Sequence, residues 1–311
     1  MANKPFGTSE KYIRRYRLII QKQDTAENDF KPTTDAIIIE NPIGISFSIE
    51  RGIYAQVQTM DISIYNLNDV NRDLLFRDVY KRGEFLYIRL EAGYLNMGLS
   101  CIFEGFVWSA YSKRVGVNVV TQIKAITNLG ASESYVNLTL GNNSTTQDIV
   151  DACMEAMPMY SKGTMVFNNQ TFPNGVTLAD NPITILKKYA DVDVYIDMMT
   201  VNLLPNSYAI SNLGIPKYTL SETNGLLGTP ERQDAILTIR MIFEPRIAVG
   251  QLITISSSVA PQFNGTFRIF SIHHEGDIND ASTGQLITTI KVNVPSQING
   301  AFTSVFGTNY T

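Results

Sequence analysis

The sequence predicts a mainly β protein (α+β), in which two antiparallel β regions are separated by a small α+β module. Three observations carry this. Apolar and polar residues alternate along many short runs on both sides of the middle, the period of strands with one buried face. Helical spacing is confined to one early segment and to the middle of the chain. Turn chemistry breaks the later runs at Glu244-Pro245, Val249-Gly250 and Asn264-Gly265.

In chain order, Tyr12, Arg14, Tyr16, Leu18 and Ile20 share one side of a first strand. Ile43, Ile45, Phe47 and Ile49 make the next apolar face, followed by Met60, Ile62 and Ile64. Leu86, Ile88, Leu90 and Ala92 form another, as do Val117, Val119, Ile123 and Ala125. Repeated alternation of this kind fits an antiparallel barrel or sandwich. One helix interrupts it, capped by Asn68, with Leu74, Leu75 and Val79 expected inward and Gly83 at its end.

The middle has a different texture. Thr145 caps a helix whose Asp148 suits the positive end of the dipole. Ile149, Val150, Cys153, Met154 and Met157 form its inner stripe, and Pro158 stops it. Asn181-Pro182 starts another helix through Ile185, Leu186 and Tyr189. Val192 to Asp197 and Thr200 to Leu204 read as a hairpin. Strand texture then returns. Leu237, Ile239, Met241 and Phe243 alternate with Ile236, Thr238, Arg240 and Ile242 until Glu244-Pro245, since Pro cannot donate to a ladder. Gln251 to Ser256 is a short strand, Asn264-Gly265 a hairpin turn, and Thr266 to His273 the returning strand, with a turn expected at Gly276-Asp277. The expected boundaries are 1–130 for the first β region, 131–212 for the module, 213–295 for the second β region and 296–311 for a C-terminal tail.

Charged residues make up 17% of the chain and hydrophobic ones 44%, so Ser, Thr, Asn and Gln fill the deficit. Such a surface suits a protein covered by neighbours in an assembly, or an ordinary β protein rich in uncharged polar residues. A net charge of −4 argues against nucleic-acid binding as the main task. Met1 to Glu10 has no apolar signal core, and no apolar run is long enough to span a bilayer. Cys101 and Cys153 are isolated, so a disulfide framework is not expected and folding in a reducing cytosol is.

Three clusters could carry chemistry. His273 and His274 adjoin Glu275 and Asp277, but neighbours on a strand point to opposite faces and cannot readily share a metal. Asp191, Asp193 and Asp197 could serve glycoside hydrolysis, which uses paired carboxylates; otherwise Asp191 and Asp193 form a solvated strand face and Asp197 falls at the hairpin turn. Lys11, Arg14, Arg15 and Arg17, interleaved with Tyr12 and Tyr16, could touch DNA or a protein neighbour. No triad order, phosphate loop or Cys-His pair accompanies them, and no catalytic residue, metal site or cofactor is expected.

One ordered set of short motifs goes further. Leu227-Gly228-Thr229-Pro230, Glu244-Pro245, Val249-Gly250, Asn264-Gly265 and His274 to Asp277 resemble the second tube-like domain of baseplate hub proteins of tailed bacteriophages. Ile62 to Leu67, Leu90 to Tyr94 and Ile102 to Gly105 resemble the first tube-like domain. The resemblance implies two antiparallel tail-tube-type β-barrel domains, and a structural, non-enzymatic hub in which a homotrimer adapts a six-fold tail tube to a three-fold central spike trimer. It also implies contacts with the tail tube or distal tube-initiator proteins and the tape measure protein, DNA only in transit during genome ejection, and a place in the virion baseplate after assembly in the host cytoplasm. Within that reading the uncharged tail, Pro295 to Thr311, would dock a partner through Ile298, Phe302, Val305, Phe306 and Tyr310. The competing readings are a tail-associated cell-wall or glycan hydrolase and the hub of a non-viral contractile injection system.

Overall fold

The computed structural model describes residues 11–22, 35–53, 57–76, 86–127, 134–205, 208–209, 218–279, 284–293, 302–304 and 309–310. The first region contributes strands β1 (Arg14–Lys22), β2 (Ile37–Glu40), β3 (Ile45–Gly52), β4 (Thr59–Tyr65), β5 (Leu86–Tyr94), β6 (Gly98–Val115) and β7 (Asn118–Ile126), with helix α1 (Asp69–Leu75) between β4 and β5. The middle holds β8 (Val136–Leu140), β9 (Ser144–Thr145), α2 (Thr146–Glu155), β10 (Ser161–Met165), β11 (Thr171–Phe172), β12 (Val176–Asp180), α3 (Pro182–Ala190), β13 (Asp193–Asp197) and β14 (Thr200–Leu204). After β15 (Tyr208–Ala209) come β16 (Tyr218–Leu220), β17 (Leu226–Gln233), β18 (Ile236–Ile242), β19 (Leu252–Ile255), β20 (Gly265–Ile278) and β21 (Leu286–Asn293). The tail adds β22 (Phe302–Ser304) and β23 (Asn309–Tyr310).

The chain is mostly β, as the alternation predicts. The two β regions share one 13-stranded sheet, whose main path is β17-β18-β21-β20-β3-β4-β7-β6-β5-β1-β2. The crossing point is β20. Its first residues pair with β19, from Gly265 opposite Ile255 to Arg268 opposite Leu252. Further along the same strand, Ser271 to Ile278 pair with Gly52 to Ile45 of β3. In the first region the sheet rolls until β1 lies back against β20. Arg14 there donates to the Gly284 carbonyl, so the roll is completed by side chains. Separate apolar cores fill the two β regions, and a third lies under α2 and α3.

Local signals mostly behave as read. The Asn68 side chain accepts from the Asn71 amide at 2.8 Å, and Thr145 and Asp148 form a reciprocal capping box. Asn181 caps α3 with Pro182 in its first turn. The inner stripe of α2 and the alternating face of β18 are buried.

Several expectations are corrected. Leu74 is exposed and only Leu75 of α1 is buried, because a short helix offers its sheet a single buried position; Val79 and Gly83 lie outside the described residues. Val117 is 89% exposed, since it sits in the turn between β6 and β7, past Val120 opposite Tyr65 where the β4 ladder ends. Asn264 has φ −69° and follows a short 3₁₀ turn, so Asn264-Gly265 is not a two-residue hairpin turn. Its side chain instead staples the loop, accepting from the Ser257 amide at 2.6 Å and donating to the Ser257 carbonyl at 3.1 Å. Gly276-Asp277 is not a turn either; the strand continues, with Gly276 opposite Phe47. A Cβ at Gly276 would lie 2.2 Å from Leu286 Cδ1, so glycine permits close strand approach there.

Candidate functional site at the seam between the two β regions

The seam is built where β3 and β20 run side by side, with the β13–β14 hairpin laid across them. Arg51 on β3 is fully buried and grips Asp197 in two places, Nε to Oδ1 at 2.8 Å and Nη2 to Oδ2 at 2.7 Å. Burial opposes the Arg51 charge, yet the Asp197 carboxylate holds its pKa above the ordinary value. Arg268 on β20 faces Asp193 at 3.9 Å and donates to the Pro205 carbonyl at 3.3 Å. Burial raises the Asp193 pKa, and Arg268 offsets part of that rise. Between the two acids, Tyr195 is buried in the core of the second region. The module is therefore tied by one acid to the first β region and by the other to the second.

A second set of polar groups sits at the end of β18. Phe243 belongs to the first region's core although its strand belongs to the second. Its ring meets Phe47 edge-on at 6.4 Å and His274 at 5.3 Å. Tyr94 donates to the Phe243 carbonyl at 3.2 Å. Glu244 is fully buried, 3.1 Å from Lys11 and 2.8 Å from Arg246. Burial lowers the Lys11 pKa, against the pull of Glu244. The Thr288 hydroxyl oxygen accepts from the Glu244 amide at 3.1 Å and lies 2.9 Å from His274 Nδ1. Burial, then the nearby Arg51 charge, hold His274 well below the usual imidazole pKa, which keeps it neutral.

These positions decide the chemistry of the sequence-derived candidates. His273 and His274 face opposite ways: His274 is a core residue in mid-strand, while His273 is partly exposed beside Glu275 at 3.7 Å. Asp193 and Asp197 are not a solvated face but ion-pair partners 146 residues from Arg51 in the latter case. Asp191 is the exposed left-handed cap of α3. Of the basic run, Lys11 is buried with Glu244 and Arg17 pairs with Glu40 on the surface. Phe302 and Tyr310 lie on β22 and β23, and β22 runs parallel to β15. Ile298, Val305 and Phe306 lie outside the described residues. Cys101 and Cys153 are free thiols, pushed by burial up to about 11 and about 12. The pairing of Asp193 and Asp197 with arginines was not legible in the sequence, since no local period links residues so far apart.

A groove lies on the outer face of β20, β3, β4, β7 and β6. It encloses about 590 Å³ and is lined by short polar residues such as Ser46, Ser48 and Ser63, with Asp61, Lys124, Glu275 and Asp277. No histidine or cysteine lines it. Among the described residues no three His, Cys, Asp or Glu side chains are grouped to hold a metal. No described helix is long and apolar enough to cross a membrane.

The site is thus a seam of buried ion pairs in a rolled antiparallel sheet shared by two β regions. The chain belongs to the Baseplate hub gp41 family, whose model matches residues 26–281. The fold is likewise that of the 43 kDa tail protein of prophage MuSo2 from Shewanella oneidensis, at 10% identity and TM-score 0.58, over 91% of this chain and 99% of that one. A tail protein from Neisseria meningitidis MC58 matches at 9% identity and TM-score 0.56, over 82% and 96%. The Escherichia coli c3393 protein, a type VI secretion component similar to T4 tail proteins gp27 and gp5, matches at 11% identity and TM-score 0.54, over 87% and 77%. No curated protein matches in sequence. The tube-type two-region fold and the baseplate hub family expected from the short motifs are thus both found.

Proposed function

We propose that this baseplate hub protein forms a homotrimeric ring that adapts a six-fold tail tube to a three-fold spike and leaves an open path for DNA. The observation that carries the reading is the seam. A ring of three chains matches a six-fold tube only if each chain presents its two β regions in one fixed relation. β20, shared by both regions, and the Arg51–Asp197 and Lys11–Glu244 pairs give the chain that rigidity. The three cores support a division near 1–130, 131–212 and 213–295, with 296–311 as a tail. In this reading the tail docks the spike through Ile298, Phe302, Val305, Phe306 and Tyr310, anchored where β22 joins β15. The tube or its initiator proteins and the tape measure protein meet the other face, no cofactor is needed, and assembly takes place in the host cytoplasm.

Light scattering on the purified chain tests this: a trimer is expected, and a monomer at micromolar concentration rejects the ring. Deleting residues 297–311 should keep the trimer and lower spike retention in particles. The hydrolase reading loses its candidate acids to ion pairing. The hub of a contractile injection system is the second reading, favoured by the fold shared with the E. coli secretion component. DNA inside particles that carry this chain would decide for the phage.

A further inference from the structure

We propose that the β6–β7 hairpin of one copy docks in the outer groove of the next copy; this rests on the ring proposed above. Every residue from Tyr111 to Asn118 is exposed, yet the hairpin is held in shape. Its ladder continues to Val115 opposite Asn118, and Gly116, at φ +62°, supplies the left-handed turn position. Asn66 clamps the strand just past the turn: its amide donates to the Val119 carbonyl at 2.7 Å, and its side chain accepts from the Val119 amide at 3.0 Å and donates to Asn118 at 3.1 Å. A clamped arm loses little freedom on docking. Its tip exposes Val115 at 52% and Val117 at 89%, beside the cations Lys113 and Arg114. Aliphatic groups held this far into water on a fixed strand pair mark a surface made to be covered.

The charge of the arm selects its partner. Two arms would repel each other, which disfavours a two-fold contact between like surfaces. The groove on the same chain has the opposite character. It carries Asp61, Glu275 and Asp277 against Lys124 alone, with Asp61 facing Lys124 at 3.8 Å. Ser46, Ser48 and Ser63 line its floor. The arm tip and the groove are different patches of one chain, with Tyr111 at the base of the arm also lining the groove, so their contact is heterologous, the kind that closes a ring.

The experiment measures the mass of the full chain in solution for the wild type, for Lys113→Glu with Arg114→Glu, for Glu275→Lys with Asp277→Lys, and for all four changes together. Each charge-reversed pair should weaken association at least about tenfold, and the arm pair should leave the circular dichroism melt unchanged, since its side chains are solvated. The fourfold variant should regain the trimer. A trimer undisturbed by the arm changes overturns the docking and leaves the ring standing. A monomeric wild type overturns both. Loss of duplex DNA retention by the arm variant, with its mass unchanged, would assign the arm to DNA and also overturn the docking.

Discussion

Arginine–carboxylate pairs occur in two parts of this molecule with opposite consequences. On the outer face of the first β region, Glu40, Arg17, Glu91, Arg89 and Glu104 alternate in sign across β2, β1, β5 and β6. Arg17 and Glu40 are 46% and 45% exposed, so water screens them and their pairing contributes about 0–1 kcal/mol. At the seam, Arg51 and Asp197 are 0% and 8% exposed. Desolvation there cancels most of the attraction, so the pair adds little net stability over apolar residues. Removing one partner, however, strands a charge in the core. The outer ion pairs can be lost at little cost, whereas the seam admits one arrangement of β3, β20 and the β13–β14 hairpin. Such specificity is what the proposed ring would require.

The strongest way to break this comparison is to replace Asp197 with Ala. A loss of about 3–5 kcal/mol in denaturant unfolding is expected, and a loss below about 1 kcal/mol would put the seam on a par with the surface. Arg51→Met with Asp197→Leu should recover most of that loss, which separates specificity from net stability. Phe243→Ala follows at about 3–5 kcal/mol. Because this ring bridges strand and core of different regions, the variant should still unfold in one transition; two resolved transitions would show that the regions are not coupled through it.

The pH response comes next. Burial raises the Glu104 carboxyl from 4.5 to about 7, so its folded state holds a proton that the unfolded chain releases. That contribution is complete below pH 4.5 and is lost as pH rises through about 7. Glu104→Gln should remove the decline, worth on the order of 3 kcal/mol in melts across that interval. His274 works in the other direction: held neutral by burial, it favours the fold above its ordinary pKa of 6.5, and that advantage is lost as pH falls below it. A wild-type profile that rises from pH 4.5 to 7 would mean that His274 outweighs Glu104.

The smallest effects are on the surface and in one turn. Arg17→Ala should cost at most about 1 kcal/mol, and that much only at low salt. Met198 and Met199 hold φ of 47° and 58° in the two-residue turn between β13 and β14. Asn tolerates that region better than Met, so Met198→Asn should stabilise by a few tenths of a kcal/mol, visible as a slight rise in Tm.

The sequence alone determined what neighbouring residues control. Alternation set the strands and their buried faces, side-chain caps set the starts of α1, α2 and α3, and an ordered set of short motifs pointed to the hub family. These are effects within one strand or one helical turn, where period and hydrogen-bond reach are short. Tertiary structure alone decided the rest. It carried β20 through Gly276 and Asp277 because β3 was there to pair with it, and it turned Asp197 from a surface residue into the partner of Arg51. It also left Val117 in water where alternation placed it inside, because the chain turns there between β6 and β7, past the end of the β4 ladder. Burial depends on which distant strands arrive alongside, and no local period encodes that.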